Sequence, residues 1–160
     1  MSVEIPDPKT APELYDGVLT RRVVAYFIDL AVLSVISVGV ILISLIAGIP
    51  TFGLAWLLAP VSLFVAVVLY YASTLGSPRR ATIGMAMMDL VLTPTRGLPL
   101  EGWRAFAHPL LFWITIWVAW PLLLLGLFTS RRQLIHDLVL GTLMLRRSPM
   151  EAHWAHYQAA

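Results

Sequence analysis

Apolar residues along this chain gather into three long blocks; they do not recur at the spacing that gives a helix or strand one buried face. The first block runs from about Val23 to Ala47, and Asp29 is its one charged residue. At 1.5 Å per residue it is roughly 37 Å long, enough to cross a bilayer with some tilt. Gly48, Pro50, Thr51 and Gly53 follow as an uncharged turn. The second block, about Leu54 to Leu75 with Pro60 in its first turns, is a second span. So short a connection predicts an antiparallel transmembrane hairpin. Tyr70 and Tyr71 near its end suit an interfacial belt. The third block, about Ala105 to Ser130, has two readings. It crosses as one span kinked at Pro121, or it breaks near Trp120 and Pro121 and re-enters on the side it left.

The intervals between the blocks are polar. Residues 1–20 carry Glu4, Asp7, Glu13 and Asp16 with Pro6, Pro8 and Pro12, and predict a loosely ordered tail. It lacks the basic start of a signal peptide, and the apolar run behind it is too long for one. The segment from Gly76 to Arg104 reads as a surface element, with a strand at Leu90–Leu92 and a turn at Pro94–Pro99, and can hold a β-hairpin. After Arg132, residues Leu134, Ile135, Leu138 and Val139 fall on one face of a short helix expected to lie on the membrane surface. Leu143–Leu145 is a second strand able to pair with Leu90–Leu92. The expected class is therefore an all-α membrane protein, a transmembrane hairpin plus a third apolar block and a small surface segment. Its domain spans 21–147, between the tail at 1–20 and a second tail at 148–160.

Charge sharpens this reading. Hydrophobic residues make up 59% of the 160 and charged ones only 12%, against about 25% charged in soluble domains. Ten of the eleven basic residues are arginines, mostly in the pairs Arg21–Arg22, Arg79–Arg80, Arg131–Arg132 and Arg146–Arg147, each at the edge of an apolar block. That placement anchors helix ends and sets orientation. It puts the amino terminus and the Gly76–Arg104 segment in the cytoplasm, and a re-entrant third block returns the last two pairs there as well. No basic stripe with interleaved aromatics suggests nucleic acid. With no cysteine there is neither a disulfide nor a thiolate metal site.

Asp29 is the leading candidate for chemistry. A carboxylate at this depth costs roughly 2.5–3.5 kcal/mol on insertion scales, so it must face protein, water or a cation. Arg22, seven positions earlier, returns to nearly the same helical face but lies about 10.5 Å away along the axis. Water, Arg104 or Arg132 could complete a bridge. Asp29 then either handles ions or protons, or serves in a structural ion pair. Asp137 is expected near the cytoplasmic end of the first span, within reach of Arg21 or Arg22, closing the pair from above; the alternative is a solvated carboxylate beside Arg131 or Arg132. His136 reads as the polar face of the surface helix, since adjacent helical residues do not face one another. His153 and His156 lack a third ligand, so no metal is expected. Ser34, Ser37 and Ser44 are expected to bond their own backbone or allow close helix packing. No phosphate loop or nucleophile elbow is present, and neither an enzyme nor a cofactor is expected.

The motifs resemble those of the RDD family of bacterial membrane proteins, named for one arginine and two aspartates. Arg22-Val-Val-Ala-Tyr-Phe-Ile-Asp29 is similar to its opening motif. Arg132-Gln-Leu-Ile-His136-Asp137, followed by Gly141-Thr142, is similar to its closing one. Ala81-Thr82-Ile83-Gly84 and Gly97-Leu-Pro99 resemble the middle segment, except that Met85 stands where many relatives have a lysine or arginine. The resemblance covers about residues 18–147. It implies Arg22, Asp29 and Asp137 as motif residues in an inner-membrane protein. A few members are linked to sodium/proton exchange. Three apolar blocks cannot easily enclose a pathway, so transport implies a homo-oligomer in the bilayer. The rival expectation is an accessory or assembly subunit of a larger membrane complex.

Overall fold

The computed structural model describes residues 5–95 and 102–159. Helix α1 (Val18–Gly48) and helix α2 (Leu54–Leu75) form the hairpin, joined by a turn in which Phe52 and Gly53 adopt positive φ. Both helices are long and apolar enough to cross a membrane. Their outer surfaces are bare hydrocarbon: Val35, Ile46 and Leu57 are each at least 73% exposed. A water-soluble monomer does not leave such a surface uncovered. The inward stripe of α1 is Arg22, Ala25, Asp29 and Leu33, so two of its three charged residues sit on the packed side.

After α2 the chain forms the short helix α3 (Ile83–Met87) and strand β1 (Leu90–Pro94). The third apolar block changes helix type along its length. Helix α4 (Gly102–Ala119) passes into a 3-10 segment (Trp120–Leu124), where Pro121 cannot continue an α-helical ladder, and then into the one-turn helix α5 (Leu125–Phe128). Helix α6 (Ile135–Leu140), strand β2 (Thr142–Arg146) and helix α7 (Arg147–Ala159) complete the chain.

The strands pair antiparallel, Leu90 opposite Arg146 and Leu92 opposite Met144. The two apolar stretches expected to pair do so, but the surface segment holds no self-contained hairpin among its described residues: the partner of β1 arrives about fifty residues later. Gly97 and Pro99, placed in the middle motif and its turn, lie outside the described residues. Alternation along the strands gives the sheet two apolar faces. Leu90, Leu92 and Met144 pack with Val18, Ala25, Leu75 and Met85 toward the hairpin. Val91, Leu143 and Leu145 pack with Ile5, Ala11, Leu14, Tyr15 and Met150 on the other side. The amino-terminal segment is thus folded from Ile5 onward, against the expectation of a loose tail. It carries apolar residues at the positions that cover the sheet, and the Tyr15 hydroxyl donates to the Pro6 carbonyl at 2.8 Å. Residues 148–159 form most of α7, which covers the same face. Asp89 fastens the open end of the sheet through Arg146 at 3.2 Å and the Ser148 hydroxyl at 2.6 Å.

Candidate functional site

Asp29 is 7% exposed and held by neutral donors. Its Oδ1 accepts the Tyr70 hydroxyl at 2.5 Å and the Gly84 N–H at 2.8 Å, and its Oδ2 accepts the Thr82 hydroxyl at 2.6 Å. Thr82 is also the N-cap of α3, accepting the Met85 N–H, so the carboxylate and the cap together satisfy the amides opening that helix. The approach depends on glycine at residue 84. A Cβ there would stand 2.2 Å from the Ala25 carbonyl oxygen and 2.9 Å from the Asp29 carboxylate. Among the described residues, the hydrogen bonds of Asp29 go to Tyr70, Thr82 and Gly84, and not to the arginines expected to bridge it, Arg22, Arg104 or Arg132. Arg22 is committed elsewhere, and Arg132 donates to the Leu127 carbonyl. Arg104 lies over the Trp103 ring. Tyr70, placed by sequence in an interfacial belt, is buried because Asp29 takes its hydroxyl. Tyr71 instead accepts the Trp113 indole N–H at 3.2 Å, tying α4 to α2.

Asp137 is fully buried. Arg22 Nη1 donates to its Oδ2 at 2.6 Å, His108 Nε2 lies 2.8 Å from its Oδ1, and its Oδ2 also accepts the Leu134 N–H that opens α6. The acidic residue thus closes its own helix start and clamps that helix to the first turns of α1 and α4. The contact closes the expected clamp on Arg22, whereas Arg131 lies by Asp7 and Arg132 by the Leu127 carbonyl. Arg21 turns away and donates to the Met88 carbonyl. Burial alone would raise the Asp137 carboxyl pKa; the Arg22 charge and the His108 hydrogen bond override it and hold it far below the usual carboxylate range.

His136 is 2% exposed, not on a solvated polar face. Helix α6 is inverted relative to a water-soluble surface helix: His136 and Asp137 point inward, while Leu138 and Val139 are 51% and 70% exposed. The His136 ring stands edge-on to His108 and Phe112. Burial, which outweighs the pull of the Asp137 carboxylate and is reinforced by the Arg22 guanidinium, pushes its pKa down to about 4. The unfolded imidazole takes its proton near pH 6.5 and the folded one only near 4. Stability is therefore full above pH 6.5 and falls between those values, by about 3 kcal/mol in all. Denaturation of the detergent-solubilised protein across pH 7 to 4 should show this slope, and His136→Phe should flatten it. A parent profile already flat over that window would mean the imidazole reaches solvent.

Between these clusters lies a cavity of about 80 Å³, bounded by Arg22, Asp29, Thr82, Met85, His108 and His136 among others. Arg22 Nε and Nη2 and His136 Nδ1 are buried without hydrogen-bond partners. Met85 brings a thioether to the wall of the same cavity. Ligand atoms of His108, His136 and Asp137 lie within 4.8 Å of one another, the spacing of a metal triad. The Arg22 guanidinium on the same carboxylate opposes a second cation there. His153 bonds Glu13 at 3.2 Å, and the side chain of His156 lies outside the described residues. Ser34 donates to the Leu30 carbonyl, as expected of a serine satisfied within its own helix.

The structure therefore joins Arg22 to Asp137 and separates both from the partners of Asp29. Sequence reasoning missed His108, Tyr70, Thr82 and Gly84 as site residues. A histidine next to Pro109 at the start of an apolar block was the available signal for the first, and the Ala81–Gly84 motif for the last two. The model of the RDD family matches residues 17–141. The chain matches no curated protein and no solved structure.

Proposed function

The chain belongs to the RDD family, and on that premise we propose that it exchanges protons for a small monovalent cation across the bacterial inner membrane. Asp29 is the carboxylate for which the two compete. The observation carrying this reading is that Asp29, at bilayer depth and on the wall of a cavity, takes its hydrogen bonds among the described residues from two hydroxyls and one amide, all of them neutral. Hydroxyl and carboxylate oxygens are hard ligands suited to a small hard cation. A carboxylate stabilised only by dipoles can accept either that cation or a proton, whereas Asp137, locked to Arg22, cannot readily release its charge. The division of roles is therefore Asp29 for exchange and the Arg22–Asp137–His108 cluster for holding the site together.

The third block is read as re-entrant, with both termini cytoplasmic. His108, near its start, and Gly126, near its end, both lie by the first turns of α1, the one through Asp137 and Arg22 and the other against Leu19. From His108 to Ala119 the helix rises about 17 Å. The return through Trp120–Phe128 covers about 16 Å, so the block reaches about halfway into a ~30 Å hydrocarbon core. A half-deep loop beside a hairpin does not enclose a pathway, and the exchanging unit is a homo-oligomer. Single cysteines test the orientation in this cysteine-free chain. Glu151→Cys should resist an impermeant thiol reagent in intact cells, and Phe52→Cys should react. Labelling at residue 151 from outside rules out the re-entrant arrangement.

One observation favours the rival reading of a non-catalytic accessory subunit: both oxygens of Asp29 also pin residues 82–84 to α1, a role that needs no transport. Full-length protein reconstituted in liposomes with an internal pH dye separates the two. Exchange predicts proton movement on imposing a sodium, lithium or potassium gradient, reduced at least tenfold by Asp29→Asn. A parent protein with no cation-driven proton flux, or an Asn variant as active as the parent, sinks the proposal. Purification in fixed stoichiometry with other membrane subunits would then support the accessory role.

A further inference from the structure

We propose that Arg79, Arg80 and Arg147 form a binding site for a phosphate oxyanion at the membrane surface. A cavity of about 120 Å³ is lined by Pro78, Arg79, Arg80, Val91, Arg147 and Glu151. Three guanidinium groups there face one carboxylate, so the pocket carries a net positive charge. Glu151 lies 3.9 Å from Arg147. Asp89, whose carbonyl accepts the Arg147 N–H, has its carboxylate occupied by Arg146 and Ser148.

Two features make the cluster a site instead of a solvated basic edge. Arg80 Nη1 and Arg147 Nε are buried and have no hydrogen-bond partner, a costly state for charged donors that an oxyanion would relieve. Arg80 also adopts φ +47, a left-handed conformation disfavoured for a residue with a Cβ. Its N–H donates to the Ser77 carbonyl and its own carbonyl accepts the Leu92 N–H, so the sheet fixes the strained backbone. Arg147 is held by its bond to the Arg79 carbonyl. These restraints position the guanidiniums before any ligand arrives.

Location indicates the chemistry. Pro78–Arg80 follow the apolar helix α2 by three to five residues, about one turn beyond the hydrocarbon, where lipid phosphates lie. Arginine forks match phosphate oxygens in bidentate geometry. The same chemistry is offered by an anionic phospholipid headgroup or by free phosphate.

Native mass spectrometry of the detergent-purified full chain tests the site, comparing retention of phosphatidylglycerol with phosphatidylcholine. The expected result is a several-fold preference for phosphatidylglycerol, lost in the double variant Arg79→Gln, Arg80→Gln and kept when the other edge pair, Arg131 and Arg132, is changed to glutamine. Thermal unfolding in phosphatidylcholine checks the fold of the double variant, and Arg79→Gln, at an exposed side chain, stands in if it is unstable. Stabilisation by millimolar inorganic phosphate that depends on Arg79 and Arg80, without a lipid preference, supports the oxyanion site with soluble phosphate as its occupant. Equal retention by parent and double variant, or equal loss in the Arg131–Arg132 control, with no phosphate effect, overturns the proposal.

Discussion

Replacing Arg22 with leucine is expected to destabilise the protein by about 3–5 kcal/mol, because it strips the cation from a fully buried carboxylate. Among the described residues, Asp137 would keep His108 and the Leu134 amide as hydrogen-bond partners, with the His136 ring 3.8 Å away. The carboxyl would then take up a proton or draw in water, loosening α6 from α1 and α4. Urea or thermal unfolding in detergent should read this loss directly. Asp137→Leu alone should cost a comparable amount by stranding Arg22, while the double replacement, which leaves neither charge behind, should cost much less than the sum of the two. The reversed pair, Arg22→Asp with Asp137→Arg, should recover part of the Arg22→Asp loss. Additive penalties in both comparisons would mean that the 2.6 Å contact carries no coupling energy.

Gly84→Ala should have an effect of similar size through a different mechanism. The new methyl would overlap the Ala25 carbonyl of α1 and crowd the Asp29 carboxylate. Helix α3 must then move off α1. Overpacking of this kind costs about 1–3 kcal/mol, and breaking the Gly84–Asp29 hydrogen bond of a buried carboxylate adds about 1–3 kcal/mol. Gly39→Ala, where a methyl meets nothing within 4 Å, is the control and should be neutral or slightly stabilising. Equal stability of the two variants would show that the close approach is not needed. Under the exchange proposal, Gly84→Ala should also lower cation-driven proton flux in whatever fraction folds, since two of the three donors to Asp29 come from residues 82–84.

Much of this architecture was legible along the chain. The hairpin follows from block length and a short uncharged turn, since neither lipid nor geometry allows another arrangement, and α2 begins and ends at the residues where its apolar block does. The pairing of Leu90–Leu92 with Leu143–Leu145 was readable because both stretches are short, β-branched or leucine-rich and lie outside the apolar blocks. The Arg22–Asp137 clamp followed from depth and charge: a guanidinium at the lipid boundary requires a carboxylate, and the closing motif supplied one.

The partners of Asp29 were not legible. Helical periodicity shows that Arg22 and Asp29 share a face, but not that a 41-residue excursion brings back Tyr70, or a 53-residue one Thr82, to within 2.6 Å. Nor does a polar, proline-rich amino-terminal sequence reveal that Ile5, Ala11 and Leu14 will cover the outer face of a sheet whose strands lie about fifty residues apart. Local sequence sets which groups must be buried or satisfied, because lipid and backbone impose those demands residue by residue. Which donor satisfies which acceptor is a property of the packed state, and here it assigned the arginine to Asp137 and left Asp29 with hydroxyls and an amide.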